Sequence, residues 1–81
     1  METRVAVIAI LVKDRESAQK LNEILHEYAE FIIGRMGLPY PSKKVNIVSV
    51  AVDAPQPIIA ALSGKIGALP SISVKTAYAD A

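Results

Sequence analysis

The chain has 81 residues, 52% of them hydrophobic, and its nine basic and eight acidic side chains give a net charge of +1. This length fits a single domain, residues 1–81, which by area scaling would bury only about 60% of its unfolded surface. The absence of cysteine excludes disulfides, thiolate metal sites and thiol catalysis. The balanced charge predicts no direct binding to nucleic acid or to a membrane surface.

The first predicted element is a strand over residues 4–13, which contains eight consecutive apolar side chains from Val5 to Val12. The run is too short to span a membrane, and with the acidic Glu2 before it the segment does not look like a secretory signal, so we expect a cytoplasmic protein. Successive strand residues point to opposite faces of a sheet. The unbroken apolar run therefore predicts that both faces of this strand are covered.

A helix over residues 15–28 follows, with Asp14 as its N-cap and an apolar stripe at three- and four-residue steps. The pattern then predicts a strand over residues 31–38 and another over residues 45–52. Residues 39–44 between them contain two prolines and a serine, which predicts a hairpin connection.

The second half of the chain continues with a helix that we expect Asp53 to cap. Pro55 and Pro57 fall in its first turn, where missing N–H groups cost least, and Pro70 ends it. The last strand covers residues 71–78, and residues 79–81 are expected to fray.

The order strand, helix, strand, strand, helix, strand predicts an α+β, ferredoxin-like βαββαβ fold, a four-stranded antiparallel sheet with both helices on one face. The handedness of the two crossovers puts the first and third strands in the centre. Composition agrees, because those strands are apolar and β-branched. The second and fourth strands carry residues that suit sheet edges, namely Gly34, Arg35, Gly37 and Lys75.

Two helices cover only one face of such a sheet, so the other face would leave a row of Val, Ile or Leu side chains bare in a monomer. Burial of each would contribute roughly 1.5–3 kcal/mol, which favours self-association into a dimer or tetramer. An apolar face that is merely tolerated is the alternative. The sequence leaves open which row faces the helices, and the candidate interface residues are Ile8, Ile10, Val48 and Val50.

Residues that could support catalysis are few. Glu23 and His26 have the Glu-x-x-His spacing of di-metal helix bundles, but the second copy and the further glutamates that such bundles need are absent, so we expect His26 to be solvated. Two Gly-x-x-Gly segments contain Arg35 and Lys65. The backbone N–H groups of these segments could approach an anion, or each segment could simply be a turn or a helix end. We expect no metal, no cofactor and no enzymatic activity.

Several segments together resemble the ACT-like family of regulators of the iron-only hydrogenase system. They are residues 13–17, 25–28, 34–37, 52–55, 61–67 and 73–76. The resemblance spans residues 2–78 and implies a small stand-alone ferredoxin-like regulatory domain. It also implies an oligomer similar to the regulatory domains of nickel-responsive and amino-acid-responsive repressors.

ACT domains usually hold a small effector at a subunit interface near the turn after the first strand. Carried over by resemblance, this implies Lys13 and Asp14 as candidate ligand-binding residues, together with Arg35 and Gly37. The metal-binding histidines and cysteine of the nickel regulator have no counterpart here. The glycine usual in amino-acid-binding ACT turns is also absent.

Two hypotheses follow. The first is a non-enzymatic regulatory module that binds a small molecule between subunits. The second is a ligand-free association module that acts through a protein partner. Convergence of Lys13, Asp14 and Arg35 on one cleft favours the first, and their scatter over open surface favours the second. The effector, the partner and the regulated pathway are not readable from these residues.

Overall fold

The strands and helices follow one another in the predicted order in the computed structural model, which describes residues 2–79. The strands are β1 (Arg4–Val12), β2 (Ile32–Tyr40), β3 (Val45–Ala54) and β4 (Ile72–Tyr78), and the helices are α1 (Arg15–Glu27) and α2 (Gln56–Gly67). Short 3₁₀ turns at Ala29–Phe31 and Pro41–Lys43 flank β2.

The four strands form one antiparallel sheet in the order β2-β3-β1-β4. The predicted ferredoxin-like α+β fold is therefore confirmed, with β1 and β3 central and β2 and β4 at the edges. The expected edge character of the glycine- and charge-bearing strands is confirmed with it.

The start of α1 is fixed locally and also from far along the chain. Asp14 caps the helix as predicted, because its carboxylate accepts a hydrogen bond of 3.2 Å from the Ser17 backbone N–H. The Ser17 hydroxyl is buried and donates to the Pro70 carbonyl at 2.6 Å, and the Lys13 N–H donates to the Ser71 carbonyl at 3.0 Å. The β1–α1 turn is thereby tied to the α2–β4 connection.

Three predicted boundaries are wrong. Asp53 does not cap α2, because β3 continues to Ala54 and Pro55 stands at the N-cap position without a side-chain hydrogen bond. β2 runs on through Pro39 to Tyr40, since proline is tolerated on an edge strand. Ala79 does not fray, because its N–H donates to the Val5 carbonyl at 2.9 Å. Residues 80–81 of the expected frayed end lie outside the described residues.

The core lies between the helices and one row of each central strand. Its members are fully or almost fully buried: Ala6, Ile8, Ile10, Val12, Val48, Val50, Val52 and Ala54 from the sheet, and Leu21, Leu25, Ile59, Leu62 and Ile66 from the helices. The candidate interface residues Ile8, Ile10, Val48 and Val50 all belong to this row. Their assignment to an exposed face is wrong, because the helices cover them.

The opposite row of each strand forms what we call the open face. Val5, Val7 and Leu11 of β1 are 41–43% exposed there, and Ile47 of β3 is 38% exposed. β2 adds further exposed large side chains to the same face, namely Met36, Leu38 and Tyr40. β4 contributes Ser73, Lys75 and Ala77 at the far edge. The described part of the chain therefore leaves a largely apolar sheet face uncovered.

Candidate functional site

A groove lies between the first turns of α1 and the C-terminal half of β2, and we call it the α1–β2 groove. It consists of two adjoining cavities of about 280 Å³ and 240 Å³. Both cavities share a wall, formed by Val12, Ala18, Pro39 and Asn46. They are therefore two parts of one depression.

The groove exists because β2 offers little bulk toward the helices. The residues on its helix-facing side after Ile32 are Arg35, Gly37 and Pro39, in place of the large aliphatic side chains of the central strands. A Cβ atom added at Gly37 would meet nothing within 4 Å. The space beside α1 therefore stays open.

The first cavity is bordered by basic side chains. Lys13, Arg15 and Lys44 line it, and none of the three has an ion-pair partner among residues 2–79. Asp14, whose carboxylate accepts the capping hydrogen bond at the start of α1, also lines it, so three positive side chains face one negative side chain there. The mouth of this cavity is therefore positively charged.

Lys44 reaches the cavity from an unusual backbone conformation. Its φ is 53°, in the left-handed region, and its N–H donates to the Pro41 carbonyl at 3.1 Å. This conformation costs a non-glycine residue of the order of 1 kcal/mol. The 3₁₀ turn at Pro41–Lys43 holds it in place.

The lining of the second cavity contains a polar contact between two of its residues. The Arg35 guanidinium donates to the Asn22 side-chain oxygen at 2.8 Å, joining β2 to α1. Both residues also line a third depression of about 290 Å³, which holds His26. His26 is exposed, as predicted, and no three His, Asp or Glu side chains of residues 2–79 are grouped so that they could hold a metal ion.

All four candidate ligand-binding residues lie along the α1–β2 groove. Lys13 and Asp14 line its first cavity, and Arg35 and Gly37 line the second. The fold brings these four residues to one groove, and binding of a ligand there stays a prediction.

Lys44 and Asn46 also line the groove and are not among the residues predicted from the sequence. A signal for them exists in the antiparallel pairing of β1 with β3. The end of β1 meets the start of β3, where Val12 pairs with Asn46. This brings Lys44 close to Lys13.

A charged contact also joins the ends of the two helices. Lys65 Nζ lies 3.8 Å from Glu27 Oε1 and 5.2 Å from the centre of the Tyr28 ring. The pKa of Lys65 is raised, first by a hydrogen bond with the Tyr28 hydroxyl and then by attraction to the Glu27 carboxylate. The pair is exposed and lines none of the three depressions along α1.

Comparison with known proteins supplies the family. Residues 4–76 match the model of the TM1266-like family, which is described as "Iron-only hydrogenase system regulator, putative". The chain belongs to the TM1266-like family. The resemblance expected from the sequence segments is thereby confirmed, and the family is described as regulatory.

A solved structure agrees with this membership of the TM1266-like family. The chain is similar to the uncharacterized protein TM1266 from Thermotoga maritima, with 34% sequence identity and a TM-score of 0.94. The match covers 98% of this chain and 100% of the other. No curated protein matches the sequence. Within residues 2–79, neither helix is long and apolar enough to cross a membrane.

Proposed function

We propose that this chain is an oligomeric regulatory module that pairs with further copies through its open face and holds a small-molecule effector in the α1–β2 groove. The description of the TM1266-like family supports a regulatory role and a link to the iron-only hydrogenase system. The module carries out no reaction of its own. Binding of the effector changes how its subunits pack against one another, and this change is the regulatory signal.

The observation that carries the proposal is the position of the first cavity at the end of the sheet. Val12 and Asn46 line it from the helix-facing side, whereas Tyr40 and Val45 belong to the row of the open face. A copy packed against the open face would thus border the cavity. An effector there would contact both subunits and would favour the arrangement in which it binds best.

The size of the open face supports self-association. Val5, Val7, Leu11 and Ile47 lie on two adjacent central strands and are each 38–43% exposed, so burial of the part still exposed would contribute roughly 0.6–1.3 kcal/mol per side chain. Two such faces are equivalent, so a two-fold arrangement satisfies both at once. The charges on this face lie toward its margins, at Asp53 and Lys75.

A ligand-free association module that acts through a protein partner is the second candidate. The observation in its favour is that most of the exposed large hydrophobic side chains of the described residues lie on the open face. In that case the groove would be only a gap left by the small side chains of β2.

A thermal-shift screen of the purified protein against amino acids, nucleotides, organic acids and divalent metals separates the two candidates. A ligand of the folded state raises the melting temperature by mass action, by RT ln(1 + [L]/Kd). We expect at least one compound to raise it and to change the mass distribution in light scattering. A flat response across the panel would transfer support to the ligand-free module.

A further inference from the structure

We propose that the α1–β2 groove selects a small organic anion with an elongated apolar body, whose acidic group is held between Lys13 and Lys44. This inference rests on the proposed function, since it names the chemical class of the effector. It concerns carboxylates and phosphate esters, which share the charge that the groove would recognise.

The positive charge of the first cavity favours an anionic ligand. Lys13, Arg15 and Lys44 approach it from β1, α1 and the β2–β3 turn, and none has an ion-pair partner among the described residues. The one carboxylate in the lining, Asp14, is engaged at the helix start. The chain as a whole carries only +1, so this concentration of positive charge is local. It attracts an anion and repels an amine.

The apolar wall of the groove favours a ligand with an apolar body. Val12, Ala18 and Pro39 line both cavities and continue from the cationic mouth toward Leu21 and Val48 in the second cavity. Each cavity is slightly smaller than the pockets that usually hold small molecules, roughly 300–1,000 Å³, whereas the two joined fall inside that range. An aliphatic or aromatic body therefore fits along the wall while its acidic end remains at the mouth.

The far end of the groove is also basic, because Arg35 lines it. Arg35 is hydrogen-bonded to Asn22 there and retains further N–H donors, because a guanidinium has five. The groove is thus basic at both ends, and the wall between them is apolar except for Asn46. Inorganic phosphate alone would leave the apolar wall wet, so it is expected to bind more weakly than an anion that carries a hydrocarbon tail.

The test uses backbone amide NMR shifts of the full chain with four probes that each contain six carbons: hexanoate, hexyl phosphate, hexanamide and hexylamine. We expect hexanoate, hexyl phosphate or both to shift the amides of Ala18, Lys44 and Asn46 in a saturable way. Hexanamide and hexylamine should bind at least about tenfold more weakly, because they lack the charge that the lysines attract.

Lys44→Gln and Lys43→Gln form a matched pair of variants. Both remove one positive charge from the same turn, but only Lys44 lines the cavity. Lys44→Gln should raise the dissociation constant of the anion about fivefold or more, and Lys43→Gln less than about twofold. Equal weakening by the two would show a general field effect and would overturn the assigned contact.

The outcomes distinguish this inference from the proposed function. Saturable binding of hexanamide or hexylamine in the groove, as tight as that of the anions, would overturn the anion class and leave an effector site in place. If none of the four probes binds and the wider thermal-shift panel is flat, the effector site itself is overturned. If one of the two anions binds more tightly than the other, the result identifies the acidic group as a carboxylate or a phosphate ester and supports the proposal.

Discussion

Ser17 is the residue on which the entry to α1 depends. Its side chain is 1% exposed, yet its hydroxyl satisfies the carbonyl of Pro70, which is 53 positions away in the sequence. Asp14 adds a local contact to the same turn. One small polar side chain thus joins the helix start to the beginning of β4.

Ser17→Ala should destabilise the fold by about 1–2 kcal/mol, because it removes a buried hydrogen bond and leaves the Pro70 carbonyl without its donor. Ser42→Ala, in the exposed 3₁₀ turn, is the control and should change stability by less than about 0.5 kcal/mol. Urea denaturation of both variants measures the difference. Equal midpoints for Ser17→Ala and wild type would contradict this role.

The cap at Asp14 could be predicted from the sequence because it involves residues three positions apart. The Ser17–Pro70 and Arg35–Asn22 contacts could not, because they depend on how distant elements pack. For the same reason Lys13 and Asp14 were found as candidate site residues through a family resemblance, while Lys44 appears only once β1 and β3 are paired.

At the scale of elements, the helices contact each other at their C-terminal ends through Lys65, Glu27 and Tyr28. The pKa of Lys65 is raised above its ordinary value of 10.5, chiefly by the Tyr28 hydroxyl. A folded-state pKa above the unfolded value means that the charged form stabilises the fold. This contribution is complete below pH 10.5 and is lost as the pH rises through the raised value.

Lys65→Met should therefore lower the urea midpoint slightly at neutral pH, and the gap from wild type should close in alkaline solution above pH 10.5. Lys20→Met, which removes another exposed lysine of a helix, serves as the control and should leave the midpoint unchanged. A gap that widens with rising pH would contradict the assigned direction of the pKa shift.

The strand order was predictable from the order of the elements and the handedness of their crossovers, with which composition agrees, but the face of β1 that the helices cover was not. Both rows of β1 are apolar, so its periodicity carries no information about which one is buried. The alternation of β4 does carry it, because the polar row of Ser73 and Lys75 must face outward. Lys75 pairs with Ala9, and Ser73 pairs with Leu11, so the register places the row of Leu11 on the open face.

Ile10→Lys and Leu11→Lys test this assignment with neighbouring residues. Ile10 is fully buried, so the lysine should cost about 3–5 kcal/mol or unfold the chain. Leu11 is 43% exposed, so its lysine should leave the fold intact and dissociate the oligomer. Circular dichroism and light scattering give both readouts. Ile10→Lys protein as stable as wild type in thermal unfolding, or fully oligomeric Leu11→Lys protein, would contradict the assignment.

At the scale of the whole molecule, the described residues form a sheet covered by one layer of helices, and the shortest dimension of the structure is 17 Å. A domain of this size buries only about 60% of its unfolded surface, so it has little apolar area to leave unused. The uncovered face of the sheet carries much of that remaining area. Its position beside the α1–β2 groove is what would connect assembly with effector binding.

Sedimentation equilibrium of the wild-type protein over a wide range of micromolar concentrations tests the central claim, that a second copy covers the open face. We predict the mass of a dimer or a tetramer, with Leu11→Lys reverting to the mass of one folded chain. A wild-type protein that sediments as a single folded chain at every concentration would contradict the account.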